Sequence, residues 1–158
     1  MNKDWLFRVE NQTCNFRSVG ILIRNNKLLV QKDIKTNIYA LPGGHVKISE
    51  SSNISLVREF LEETGVNINC ERLLFVEEGF WSSNNSKYNT IAFYYLVSLV
   101  NEDDLPDDLE IRKLNDNDNV ELSWISLDKL GELNIYPRFI KNNLITIDKG
   151  IKHFISND

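Results

Sequence analysis

Apolar and polar positions alternate along this chain in two periods, and the switches between them mark its elements. Ser18–Arg24 and Lys27–Gln31 are apolar runs on either side of Asn25-Asn26, a pair suited to a hairpin turn. After Glu50 the spacing becomes helical. Ile54, Val57 and Leu61 are expected to form the buried stripe, opposite Glu59, Glu62 and Glu63. Ser49 and Ser51 are candidate N-caps, and Gly65 stands where a left-handed C-terminal residue is expected. Arg72–Val76 and Thr90–Val100 return to strand character, the second rich enough in aromatic and β-branched residues for a central strand. Glu121–Ile125 is a further short strand with Trp124 as its core anchor. From Ser126 the pattern is helical again, first as a short capped helix, then over Ile135–Ile147 with Pro137 confined to the first turn. This order predicts an α/β sandwich with a mixed sheet, and the length fits one domain, residues 1–158.

The predicted helix carries the chemistry. Glu59, Glu62 and Glu63 lie at i, i+3 and i+4, so their carboxylates share one face. Like charges at that spacing destabilise a helix, and Arg58, four residues before Glu62, offsets only one of them. The surplus suits a hard divalent cation with oxygen ligands. Upstream, Leu41-Pro42-Gly43-Gly44 is a tight turn whose glycines let the backbone approach a metal or a phosphate.

Residues 44–66 read GHVKISESSNISLVREFLEETGV. Gly44, Glu50, Arg58-Glu59, Glu62-Glu63 and Gly65-Val66 fall at the intervals of the Nudix box, which this stretch resembles at every defined position. The resemblance extends over residues 17 to about 145, although its specificity rests on residues 41–66. It implies a Nudix-type α/β/α sandwich with a mixed central sheet, and an enzyme that hydrolyses a pyrophosphate bond with Mg²⁺, or alternatively Mn²⁺. Glu59, Glu62 and Glu63 would then bind metal together with the carbonyl of Gly43 or Gly44. Glu59 and Glu62 would also serve catalysis, Arg58 would orient a glutamate, and Glu50 would be an auxiliary acid. Relatives often take the general base from outside the box; Glu77, Glu78, Asp116, Asp118 and Glu121 are the candidates here.

The substrate the resemblance implies is a small nucleotide, a nucleoside diphosphate linked to another group. Nucleotide sugars and nucleoside triphosphates are both in range. The surroundings of the box depart from the common pattern: Lys47 and Ser49 replace a usual Glu and Gly, and Asn89-Thr90 replaces a His-Glu pair. Lys47 is therefore a candidate phosphate contact, and Tyr39, Phe80, Trp81 and Tyr88 are candidate stacking platforms for a base. Residues 82–87, with Asn84, Asn85 and Ser86, read as a polar substrate-side loop.

Composition narrows the classes. The net charge of −5 comes from residues 101–121, where acids such as Asp103, Asp107, Glu110 and Asp116 face only Arg112 and Lys113. No basic stripe suggests a nucleic-acid partner. No apolar stretch is long enough to span a membrane, and the N-terminus lacks a signal-peptide core. Cys14 and Cys70 lack metal-ligand spacing and are expected to be free, buried thiols, which points to the cytoplasm. His45 and His153 are too few for a His-based or di-iron site. Many small relatives dimerise, so a homodimer is compatible. A non-catalytic nucleotide-binding domain is the rival reading, and its box would be free to lose the glutamates that this chain keeps.

Overall fold

The computed structural model describes residues 2–108 and 112–158. The elements run β1 (Leu6–Val9), β2 (Gln12–Ile21), β3 (Ile23–Arg24), β4 (Lys27–Asp33), β5 (Tyr39–Ala40), β6 (Gly43–His45) and α1 (Ser52–Thr64). They continue with β7 (Ile68–Ser83), β8 (Ser86–Leu99), β9 (Arg112–Lys113), β10 (Val120–Ser126), α2 (Ile140–Asn143) and β11 (Lys152–Ser156). Short 3₁₀ turns cover Glu102–Asp104 and Leu127–Glu132.

Two sheets result. The larger is ordered β1-β2-β8-β7-β11 with β6 also on β2, and the smaller β3-β4-β10-β9 with β5 on β4. The larger is mixed: β2–β8 and β7–β11 are parallel pairs, and β7–β8 is an antiparallel hairpin. Strand alternation divides the core between two faces. In β4, Leu28 and Val30 join one apolar cluster with Leu74, Tyr94, Leu130 and Ile140, whereas Leu29 joins the other with Leu56, Phe60, Val97 and Leu122. The second cluster anchors α1. The first is closed by the C-terminal segment, which completes an α/β fold with a mixed sheet.

Several expectations need correction. The buried side of α1 is Leu56 and Phe60, both 0% exposed, whereas Ile54 is 60% and Leu61 47% exposed. On a 3.6-residue period, 52, 56, 60 and 64 form one row, and Glu59 and Glu63 flank that row rather than oppose it. Fully burying Leu56 and Phe60 contributes about 2–3 kcal/mol each. The carboxylates therefore lie at the seam between helix and sheet.

The second predicted helix shrinks to the four residues of α2. Pro137 has no N–H to bond, and Ile135, Ile140 and Leu144 are buried at a spacing that suits a folded-back segment as well as a helix. Residues 82–87 form no loop. Asn84 and Asn85, with φ of 49° and 64°, make a two-residue turn that lets Ser83 pair with Ser86. Asn25-Asn26 turn the same way, as expected. Cys14 and Cys70 are free, but Cys14 is exposed because it points outward from β2. Trp124 is half-buried and packs on the α1-side cluster. Among the acids of the 101–121 run, Glu110 lies outside the described residues. No helix is long and apolar enough to cross a membrane among the described residues.

Candidate active site

The site begins where β6 runs into α1. Ser51 enters the helix with extended backbone, and Gly65 ends it at φ 73° with its N–H donating to the Leu61 carbonyl. Between these ends Arg58 gathers the acids. Its Nε donates to Glu50 Oε1 at 2.8 Å and its Nη2 to Glu50 Oε2 at 3.0 Å, a two-pronged pair. Nη1 donates to Glu59 Oε1 at 2.7 Å and to Glu62 Oε2 at 3.1 Å. Nη2 also reaches the His45 carbonyl and Ser55 Oγ. The hydrogen bonds from Arg58 are the main reason the Glu50 carboxyl sits below its ordinary pKa. With its donors thus committed to protein groups, Arg58 acts by holding glutamates in place. Glu50, set aside as merely auxiliary on sequence grounds, is its tightest partner.

Glu59 is the most constrained of the box carboxylates. One oxygen is held by Arg58, and the other side of the group lies against Gly44, where a Cβ would run into it. Only glycine permits that approach. Glu62 is half-exposed at the rim. Glu63 has no cation paired to it among the described residues; Gln31 Nε2 donates to its Oε2 at 3.1 Å. Burial, then the charges of Glu59 and Asp116, push its pKa up to about 7, against the opposing pull of Gln31 and Arg17. An excess of negative charge is thus stored at Glu59, Glu63 and Asp116.

The Asn115 N–H donates to the Glu63 carbonyl at 2.8 Å, which explains how the acidic run reaches the site through Asp116. The other candidate bases lie apart from it. Glu78 pairs with His153, Glu121 stands on β10 opposite Lys113, and Asp118 is exposed. Among the described residues no three His, Cys, Asp or Glu side chains converge into a closed metal-ligand set, and Glu59 and Glu62 are both in ion pairs with Arg58.

A cavity of about 690 Å³ lies on the face of the large sheet that carries Val19, Ala92 and Tyr94, away from α1. Its wall includes Asn15 and Arg17 of β2, Glu77 and Trp81 of β7, Tyr94 of β8 and Ser156 of β11. Glu77 is buried and accepts hydrogen bonds from Tyr94 at 2.6 Å and Ser156 at 2.5 Å. Burial first, then the charge of Glu77, raises the Tyr94 pKa well above its ordinary value. Arg17 links the two regions: it lines the cavity, yet its charge is felt at Glu63, at Tyr94 and at His45.

Of the substrate contacts expected from sequence, Trp81 lines this cavity and stacks on Tyr88 with ring centroids 3.8 Å apart. Phe80 lines it too. Tyr39 does not. Ile38 and Ala40 face the cavity, so the alternating Tyr39 turns away, packs on the core and lies under Lys32. Lys47 is half-buried, bridged through its backbone to Asp4, and lies outside the cavity wall. Asn15, Arg17, Tyr94 and Ser156 were missed. Polar Asn15 and Arg17 on the same side of β2 as buried Val19 were a legible signal, whereas Ser156 offered none.

A model of the NUDIX domain matches residues 15–143. The chain belongs to the Nudix family. Members of this family are pyrophosphohydrolases and generally use divalent cations. An m7GpppN-mRNA hydrolase of Danio rerio is 30% identical over an alignment of 127 residues that covers 70% of this chain. This Nudix chain spans 41% of the length of that relative. The MutT protein of Bacillus halodurans shares the fold with a TM-score of 0.65 at 17% identity, over 89% of each chain. An ADP-ribose pyrophosphatase of Streptococcus suis shares it with a TM-score of 0.56 at 15% identity, over 91% of this chain and 98% of that one.

Proposed function

We propose that this Nudix protein is a Mg²⁺-dependent hydrolase that cleaves a pyrophosphate bond in a small nucleotide, a nucleoside diphosphate linked to another group. The observation that carries the reading is the charge arrangement at the α1 seam. Arg58 binds Glu50, Glu59 and Glu62, while Glu63 and Asp116 add negative charge beside them that no protein cation pairs with among the described residues.

Those residues fit a divalent cation by the character of their donors. Glu59 lies in a cradle that only Gly44 permits, and Glu63 carries a carboxylate whose ionisation the surrounding acids oppose. Glu59, Glu63 and the Gly44 carbonyl would hold Mg²⁺, or Mn²⁺ in its place, with Glu62 at the rim. When bound, such a metal neutralises phosphate oxygens and acidifies water. Arg58 fixes the Glu59 carboxylate so that its geometry does not have to reorganise during reaction. Glu59, held by Arg58, is the carboxylate we assign to accept a proton from the attacking water. Arg17, half-buried at the cavity wall and paired with no carboxylate among the described residues, is placed to receive the anionic part of a substrate whose remainder enters the cavity.

The relatives support a nucleotide of this kind without fixing one: they include the m7GpppN-mRNA hydrolase, the ADP-ribose pyrophosphatase and a UDP-X diphosphatase. The test is a hydrolysis screen with Mg²⁺ or Mn²⁺ across dinucleoside polyphosphates, nucleotide sugars and nucleoside triphosphates, with products identified by mass. The expected result is release of a nucleoside monophosphate from at least one class, abolished by a chelator. Nucleotide binding with no hydrolysis across all classes and metals would replace this reading with that of a binding domain.

A further inference from the structure

We infer that the cavity on the large sheet recognises the Watson–Crick edge of a guanine base, and that Glu77 is the residue that selects it. This rests on the reading of the protein as a nucleotide hydrolase and adds the identity of the group that enters the cavity.

Glu77 is a carboxylate only 7% exposed, yet it forms part of the cavity wall. No Lys, Arg or His among the described residues pairs with it; its partners are two neutral hydroxyls, Tyr94 at 2.6 Å and Ser156 at 2.5 Å. A carboxylate offers about four acceptor sites, and these two hydroxyls occupy one on each Glu77 oxygen. Asn15 adds a second acceptor: its Oδ1 is buried in the same wall and has no hydrogen-bond partner among the described residues. A buried acceptor left unsatisfied costs about 1–3 kcal/mol. Glu77 and Asn15 thus make one part of the wall rich in acceptors while Arg17 is its cation, and the matching occupant brings donors to the first and an anion to the second.

The shape narrows the choice. Trp81, stacked parallel on Tyr88 at an interplanar angle of 5°, contributes an aromatic ring to the cavity wall, which favours a planar occupant. Among the common bases, guanine alone places two adjacent donors, N1–H and the 2-amino group, on one edge in the spacing of a carboxylate's two oxygens. Adenine and cytosine set one amino group beside an acceptor, and uracil sets its single N–H between two carbonyls. Either arrangement would press an acceptor against Glu77. A sugar's vicinal diol also offers adjacent donors, but it lacks the flat face.

The test is isothermal titration of the full-length protein, with Mg²⁺ present, by guanosine 5′-monophosphate, inosine 5′-monophosphate and 2′,3′-dideoxyguanosine 5′-monophosphate. Inosine lacks only the 2-amino group. The expected result is that guanosine monophosphate binds roughly 10- to 100-fold more tightly than inosine monophosphate, and that the dideoxy compound matches it. Glu77→Gln, isosteric and checked for folding by thermal unfolding, is expected to bring the guanosine and inosine affinities together, with inosine monophosphate, whose N1–H also meets Glu77, losing less than guanosine monophosphate. Equal binding of the guanosine and inosine compounds by the wild-type protein would overturn the inference. So would loss of affinity confined to the dideoxy compound, which would assign the wall to a sugar diol. Because nothing is hydrolysed in this experiment, its failure leaves the catalytic reading standing, and the absence of hydrolysis in the screen leaves this measurement valid.

Discussion

Two acid clusters lie on either side of Arg17's electrostatic influence, felt at Glu63 and at Tyr94, and they are stabilised in opposite ways. At the α1 seam, Glu50, Glu59 and Glu62 share the guanidinium of Arg58, and Glu63 is left against Glu59 and Asp116. In the cavity, Glu77 is held by the neutral hydroxyls of Tyr94 and Ser156. A cluster balanced by charge and still in surplus is suited to a cation and to the developing charge of a reaction. One balanced by directional hydrogen bonds is suited to reading the shape of a ligand. The difference assigns chemistry to the helix and recognition to the sheet, and substitutions on the two sides should separate these roles.

Apart from the box glutamates themselves, the largest effect is expected at Arg58. Lysine keeps the charge but cannot reproduce the two-pronged pair to Glu50 together with the bonds to Glu59 and Glu62. Arg58→Lys should lower turnover roughly 10- to 100-fold and destabilise the fold by about 2 kcal/mol in urea denaturation. Unchanged turnover would mean that Glu59 needs no holding.

The cavity counterpart is Tyr94→Phe, which removes one of the two donors to Glu77. Stability should fall by about 1–2 kcal/mol, with kcat on the best substrate of the screen close to wild type. A drop in kcat as large as that of Arg58→Lys would erase the division of labour.

The smallest effect is a pH slope. Glu63 holds its proton to about pH 7 in the folded chain, against an ordinary value of 4.5, so between these values the folded state binds more protons than the unfolded one. Stability contributed by Glu63 is therefore full below pH 4.5 and lost as the pH rises through 7. In chelator, urea midpoints should decline more steeply between pH 5 and 8 for wild type than for Glu63→Gln. Parallel curves for the two proteins would contradict the charge surplus.

Much of the catalytic side was legible because it is local. Gly44, Glu50, Arg58, Glu59, Glu62, Glu63 and Gly65 lie on one turn and one helix, where spacing in sequence becomes spacing in three dimensions. The face of that helix was misread, since Ile54 and Leu61 share the helical period with Leu56 and Phe60, and periodicity alone does not say which row meets the sheet. The cavity was hardly legible at all. It joins β2, β7, β8 and β11, so Glu77 meets Ser156 across 79 positions of sequence through a parallel pairing that no short-range pattern encodes. Tyr39 and Trp81 looked equivalent as stacking candidates, and only the strand phase, set by pairing, sends one to the core and the other to the cavity.

The central claim is that the carboxylates at the α1 seam carry out metal-assisted hydrolysis. The most direct measurement is kcat for Glu59→Gln and Glu63→Gln at saturating Mg²⁺ and saturating substrate, with folding verified and nucleotide affinity measured in parallel. The account expects kcat to fall on the order of 100-fold or more in both variants while the nucleotide still binds. Wild-type turnover in both would contradict it.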